Sequence, residues 1–261
     1  MNHEIESLEG QLLIHRRNLR DLEVKKAKFG LDVPLYILRQ IEDEESQISR
    51  LTEAVQRMTN RSQIIQGEGI TSIISVLFLA ADPTDASRLR LGEELREIQE
   101  KLQLARSRER FELHQRMSVR PADISQALLD VQPQIVHFSG HGTAIGALCF
   151  ENQIGETHPI RPDALAALFE QFANQVKCVV LNACNSEIQA NAIAEHVDYV
   201  IGMNQAIGDK AAIAFAIGFY QALGAGRTVE EAYKLGCVQI RLQGIPEHLT
   251  PIFIKKGQVY S

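Results

Sequence analysis

From residue 73 onward the chain alternates between short apolar runs and amphipathic segments of helical period. Ile73 to Ala81, IISVLFLAA, is a continuous β-branched and apolar run, the pattern of a strand buried on both faces. Arg88 to Ala105 then repeats Leu91, Leu95, Ile98 and Leu102 at helical spacing. The alternation continues with a short strand near Phe111, a helix opened by Pro121, the strand Ile135 to Ser139 and a helix opened by Pro162. It ends with the strand Cys178 to Leu181, a helix from Ser186, the strand Tyr199 to Met203, helices over 209–223 and 229–243, and a strand near Pro251 to Lys255. Strands joined through helices need right-handed crossovers. The pattern therefore predicts an α/β fold, a doubly wound, mostly parallel sheet with helices on both faces.

Residues 1–58 differ in kind. Ile5, Leu8, Leu12, Leu19, Leu22 and Phe29 fall at heptad-like spacing, with His15 and Lys26 as polar breaks in the stripe. FGLDVP then ends the helix, with Gly30 suited to a C-terminal cap and Pro34 to the first turn of the next helix. A second stripe follows at Leu38, Ile41, Ile48, Leu51 and Val55, and the EDEE run Glu42 to Glu45 reads as a solvated face. The expectation is an N-terminal helical hairpin over 1–58, resembling a short coiled coil. It is followed by a polar linker at 59–71 and the α/β domain at 72–261. Two helices bury only one seam, so the hairpin reads as a module for docking a sensor or scaffold protein, or for homo-oligomerisation.

Charge and cysteine usage exclude several classes. The formal net charge is −6 and no Lys/Arg cluster overrides it, which argues against nucleic acid as a partner. Ala211 to Ala225 is too short to span a bilayer, and the N-terminus is charged from Glu4, unlike a secretory signal. The four cysteines are widely spaced with no CxxC pair, as expected of reduced thiols in a cytoplasm.

Two strands end on reactive side chains. VHFSGHG places His141, and VVLNACNS places Cys184, each just past the carboxyl end of a strand. Open α/β sheets bind ligands beyond those ends, so neighbouring strands would bring thiol and imidazole to one cleft, as a cysteine nucleophile requires. Ser186 with Gln189 spells a capping box that opens a helix just after Cys184, and a helix N-terminus there would favour thiolate. Backbone N–H groups of Gly142 and Cys184 are candidates for holding a developing oxyanion.

HFSGHG, LNACNS, YVIGM, the helix DKAAIAFAIGFYQAL and then GRTVEEAY occur in that order, and together they resemble the CHAT domain, a caspase-like cysteine peptidase family. The resemblance runs from about Ile73 to Lys255. It implies a caspase-like fold, His141 and Cys184 as catalytic dyad, and Gly142 and Cys184 as backbone oxyanion donors. Asn182 matches a position lining the pocket for the residue before the scissile bond, and Asp82 one where a second pocket residue often stands. The activity implied is cleavage of a protein or peptide substrate without metal or cofactor, by an effector in a bacterial defence or signalling assembly. The caspase signature Q-A-C-[RQG]-G is absent, and only Asn185 to Asp198 separates the nucleophile's strand from the next. Activation by cleavage at that point is therefore not expected.

Structural roles account for the other candidates. His137 reads as a core histidine, and a zinc site built from His137, His141, His158 and Cys184 lacks any HxxxH or CxxC support. Cys178 and Cys237 sit among apolar neighbours, and Cys149 falls in a hairpin. Gly202 and Met203 suit close helix–strand packing, and Gly140, Gly142 and Gly146 match no nucleotide-binding motif. Two functional classes remain, an active endopeptidase or a catalytically silent scaffold of the same fold.

Overall fold

The computed structural model describes residues 2–29, 33–65, 73–255 and 258–260. The chain divides into two compact units, Met1–Thr71 and Ser72–Ser261. In the first, helices α1 (Asn2–Phe29) and α2 (Leu35–Ile65) pack on each other. Ile37 and Ile41 are buried, while Leu12, Leu19, Leu22, Leu38, Ile48 and Leu51 are half-buried. His15, the break in the first stripe, has a partner across the seam. Its Nδ1 lies 2.5 Å from Glu44 Oε2, and Asn18 Nδ2 donates to Glu44 Oε1 at 3.1 Å. Glu44 thus turns into the seam, unlike the solvated face expected of EDEE.

Two boundaries differ from expectation. Pro34 precedes α2, and its carbonyl accepts the N–H groups of Ile37 and Leu38, so it caps the helix instead of entering it. α2 also continues through residues 59–65, expected to be linker. That stretch, TNRSQII, contains neither glycine nor proline to stop a helix. The cap expected at Gly30 and the remainder of the linker lie outside the described residues.

The second unit is built on β1 (Ile74–Ala80), β2 (Phe111–Arg116), β3 (Ile135–Ser139), β7 (Cys178–Asn182), β8 (Tyr199–Met203), β9 (Pro251–Lys255) and β10 (Gln258–Tyr260). The order is β2-β1-β3-β7-β8-β9-β10. The first five are parallel; β9 and β10 join antiparallel, and β10 was not foreseen in the sequence. Three short strands, β4 (His141–Gly142), β5 (Leu148–Glu151) and β6 (Thr157–Ile160), form a separate antiparallel sheet between β3 and β7 in the chain.

Side chains alternate across the central strands, so each strand feeds two cores. Leu77, Leu79, Val136, Phe138, Val179 and Leu181 pack with α4 (Pro121–Val131), α5 (Pro162–Gln171) and α6 (Glu187–Ile193). Val76, Phe78, Val180 and Ile201 pack on the other face with α3 (Leu91–Gln103), α7 (Asp209–Gly224) and α8 (Val229–Leu242). Double burial explains why the strands read as unbroken apolar runs. Gly202 lets α6 settle on β8, since a Cβ there would stand 2.7 Å from the Ala190 Cβ. Among the described residues no helix is long and apolar enough to cross a membrane.

Strand order reverses beside β1, with β2 on one side and β3 on the other. In such sheets the crevice beyond the carboxyl ends at that reversal is the binding place. The loops after β1, β3 and β7 surround it.

Candidate active site

β3 and β7 are neighbours in register, with Ser139 opposite Asn182. Their ends are therefore level, and the segments leaving them, Gly140–Gly142 and Ala183–Cys184, meet. The closeness is extreme at Gly142: a Cβ added there would lie 1.9 Å from the Cys184 carbonyl oxygen. Only glycine leaves room for these two backbones. The ladder orients the Gly142 amide too. Thr143 N–H donates to the Ala147 carbonyl at 2.9 Å, so Gly142 and Leu148 form the intervening non-hydrogen-bonded pair. The Gly142 N–H therefore turns away from β5.

His141 Nε2 lies 2.7 Å from the Ser87 carbonyl oxygen. A carbonyl only accepts, so Nε2 is the donor here, and in the neutral ring Nδ1 carries the lone pair. Ser87 belongs to the loop after β1, which is braced on the β5–β6 hairpin. Asp85 Oδ1 accepts both the N–H and the hydroxyl of Thr157 at 2.8 Å, and Thr84 N–H donates to the Gly155 carbonyl at 2.8 Å. Those Thr157 bonds, the hydroxyl's first, hold the Asp85 carboxyl below its ordinary range.

Asp82, expected as a pocket residue, is not among the residues lining the cavity that His141 and Cys184 share. Its Oδ2 accepts from Arg88 at 3.0 Å, its Oδ1 stands 4.0 Å from His141 Nε2, and its N–H donates to Glu151 Oε1 at 3.1 Å. The loop folds back after β1 and turns this carboxylate onto its own arginine and toward the imidazole.

Cys184 is half-buried, and its sulfur is held by the main chain of Ile207, accepting the N–H at 3.4 Å and donating to the carbonyl at 3.6 Å. The capping box expected at Ser186 and Gln189 does not form. Ser186 Oγ donates to the Leu181 carbonyl at 3.0 Å and accepts Met203 N–H at 2.9 Å, stitching the ends of β7 and β8. Gln189 Nε2 donates to the Ile160 carbonyl instead. The helix begins only at Glu187, after Asn185 in the left-handed region at φ 52°.

His141 and Cys184 share the lining of a cavity of about 40 Å³ that reaches under the strand ends toward Asn182 and Glu94. Glu94, on α3, is 2% exposed and accepts three hydrogen bonds, from His137 Nε2 at 2.9 Å, Ser139 Oγ at 2.5 Å and Asn182 Nδ2 at 2.5 Å. His137 Nδ1 meets the Tyr220 hydroxyl at 3.1 Å, so the histidine expected in the core is satisfied as part of a buried polar column. Burial, first of all, keeps the Tyr220 hydroxyl protonated far above its ordinary range.

Ser87, Glu94, Ile207 and Asp209 were missed from the sequence. Glu94 carried a signal, being three residues after Leu91 and four before Ile98, on the inner stripe of its helix. Glu94→Ala leaves three buried donors without an acceptor, and a loss of about 3 kcal/mol or more in unfolding free energy is expected from urea titration.

The remaining cysteines are packing residues of the kind expected. Burial pushes the Cys178 thiol up to about 12 and that of Cys237 up to about 11; burial and then Asp85 raise that of Cys149, which stands in β5 opposite His141.

The sequence model of the CHAT domain matches residues 37–243. The chain belongs to the CHAT domain family. It is 28% identical over 194 residues to a Roc-COR-CHAT protease from an unknown prokaryotic organism, covering 69% of this chain and 18% of that one. A probable protease of Gillisia limnaea is 27% identical over 157 residues, covering 59% and 28%. The Roc-COR-CHAT protease of Runella zeae is 27% identical over 172 residues, covering 64% and 18%. The chain thus spans less than a third of the length of these relatives. Among solved structures, caspase-1 of Spodoptera frugiperda superposes with a TM-score of 0.47 and 12% identity, over 71% of this chain and 87% of that one.

Proposed function

We propose that the CHAT domain is a cysteine endopeptidase, with Cys184 as nucleophile and His141 as general acid and base. The observations that support this reading are that His141 and Cys184 line one cavity, and that the backbones of Gly142 and Cys184 approach so closely that a Cβ at Gly142 would lie 1.9 Å from the Cys184 carbonyl oxygen. The protease names of the CHAT relatives point the same way.

With Nε2 committed to Ser87, Nδ1 is the ring nitrogen able to take a proton. Sγ leaves the Ile207 carbonyl, passes its proton to Nδ1 and attacks the scissile carbonyl carbon. The N–H groups of Gly142 and Cys184 receive the oxyanion. His141, now imidazolium, is stabilised by the Ser87 carbonyl and by Asp82, and gives its proton to the leaving amine as the C–N bond breaks. Water then attacks the thioester, its proton going to Nδ1, and the thiol is restored. No step uses a metal or cofactor.

The hairpin of residues 1–58 recruits or activates this domain by docking a sensor or scaffold protein, or a second copy of the chain, in a cytoplasmic bacterial defence or signalling assembly. Its exposed Ile14, Val24, Leu35 and Tyr36 offer the apolar surface for that contact. The test is cleavage of a peptide library by the full chain, alone and with proteins captured on residues 1–58. Cleavage that persists in Cys184→Ala would sink the reading.

A further inference from the structure

Helix α8 is apolar on two sides. Ala232 and Ile240 are buried in the core it shares with α7. Leu235, Val238 and Leu242 lie outside that core and are 36%, 47% and 72% exposed. Spacings of three and then four residues are those of a coiled-coil seam, which one buried face does not require. Val238 also opens onto a groove of about 530 Å³ between α8 and the start of β9, lined in addition by Leu249 and Ile252. Leu249 is 76% exposed. The charged side chains of the groove are all basic, Lys234, Arg241 and His248, in a chain whose net charge is −6. Lys234 is paired with Glu230 at 2.7 Å, whereas Arg241 and His248 have no ion-pair partner among the described residues. The neighbouring carboxylates are engaged elsewhere: Glu231 accepts Thr228 N–H at 2.9 Å and Glu247 accepts Gly208 N–H at 2.7 Å.

We infer that this groove docks an acidic amphipathic helix of a partner protein, its apolar face resting on Leu235, Val238, Leu242 and Leu249. An extended peptide has no edge to join here. The backbone of α8 is spent along its own axis, and β9 is already paired on both sides, with β8 and β10. Lys234 and Arg241 each precede a seam leucine by one residue, the flanking position whose charges choose the partner in coiled coils. Glutamates on an incoming helix meet these cations, and lysines are repelled. The site is concave, walled by residues 248–252, which suits a helix better than the flat face of a bilayer. That wall is tied to the loop after β8. Asn204 Nδ2 donates to the Leu249 carbonyl at 3.3 Å, and Gln205 Nε2 to Thr250 Oγ1 at 3.0 Å. The same loop holds the Cys184 sulfur through Ile207, so the docked helix adjoins the support of the proposed nucleophile.

The test needs no turnover, so it stands apart from the peptidase reading. The probe is a fluorescein-labelled peptide as long as α8, stapled as a helix, with leucine at the seam positions and glutamate at the flanking ones. Its counterpart carries lysine at the flanking positions. Fluorescence anisotropy is measured with the full chain, with Val238→Asp and with Arg241→Glu, each variant first shown to melt like the parent. The glutamate peptide is expected to bind about tenfold or more tightly than the lysine peptide. Val238→Asp and Arg241→Glu are each expected to weaken it about tenfold. The hairpin of residues 1–58 also offers apolar helix surface, so only binding lost in Val238→Asp counts in favour. Equal binding of the two peptides, or binding indifferent to both variants, would overturn the assignment. So would failure to bind the peptide together with self-association, or sedimentation with phosphatidylserine vesicles, that Val238→Asp abolishes. Those results would give the groove to a second copy or to a membrane.

Discussion

Cys184→Ala and His141→Ala each lower peptide cleavage by about a thousandfold or more, and the double variant is no slower than the worse single one. The expectation of non-additivity follows from the proton path. Without Nδ1 the thiol has no base on the free side of the ring, and without the thiol there is nothing for the base to deprotonate. Asn182, Glu94 and Asp209, which line the same cavity, are untouched by either substitution. The loss therefore falls in kcat more than in KM, and single-turnover rates on the same peptides separate the two.

Gly142→Ala has the next largest effect and acts without removing any functional group. A Cβ 1.9 Å from the Cys184 carbonyl oxygen meets backbone, not a side chain that can swing aside. Either β4 or the turn after β7 must move, and both carry the proposed machinery. A displacement near 1 Å costs about a hundredfold in rate, and loss of one oxyanion donor costs about a hundred- to a thousandfold. The stability penalty of such overpacking is smaller, about 1–3 kcal/mol. Activity should thus disappear while a cooperative melt remains, shifted down by several degrees. A variant that melts normally and cleaves at the parental rate would contradict the proposed role of this backbone contact.

The elements legible in the sequence were those with strong periodicity. β1, β3, β7 and β8 are buried on both faces and announced themselves as apolar runs, and Pro121 and Pro162 marked the starts of α4 and α5. Strand adjacency was a condition in the sequence, not a result; β3 and β7 do pair in register, which brings the strand ends before His141 and Cys184 level. What stayed hidden was set by tertiary contacts. Ser87 acts through a carbonyl that every residue possesses, so no side-chain pattern could single it out. The pairing of Asp82 with Arg88 was hidden because the return of that loop depends on bracing by the β5–β6 hairpin. Ser186 has the letters of a capping box, but burial between two strand ends gives its hydroxyl better partners. Glu94 hid among leucines at helical spacing, where a charged residue is easily read as a boundary of the apolar face.

The most direct measurement is the rate of iodoacetamide alkylation at each of the four cysteines, in the parent and in His141→Ala, because it needs neither substrate nor activating partner. Cys184 should react first, with Cys149, Cys178 and Cys237 slower through burial and their raised pKa values. Loss of His141 should slow Cys184 alone, by about tenfold or more. A Cys184 rate indifferent to His141, or matched by the buried thiols, would contradict the dyad on which the whole account rests.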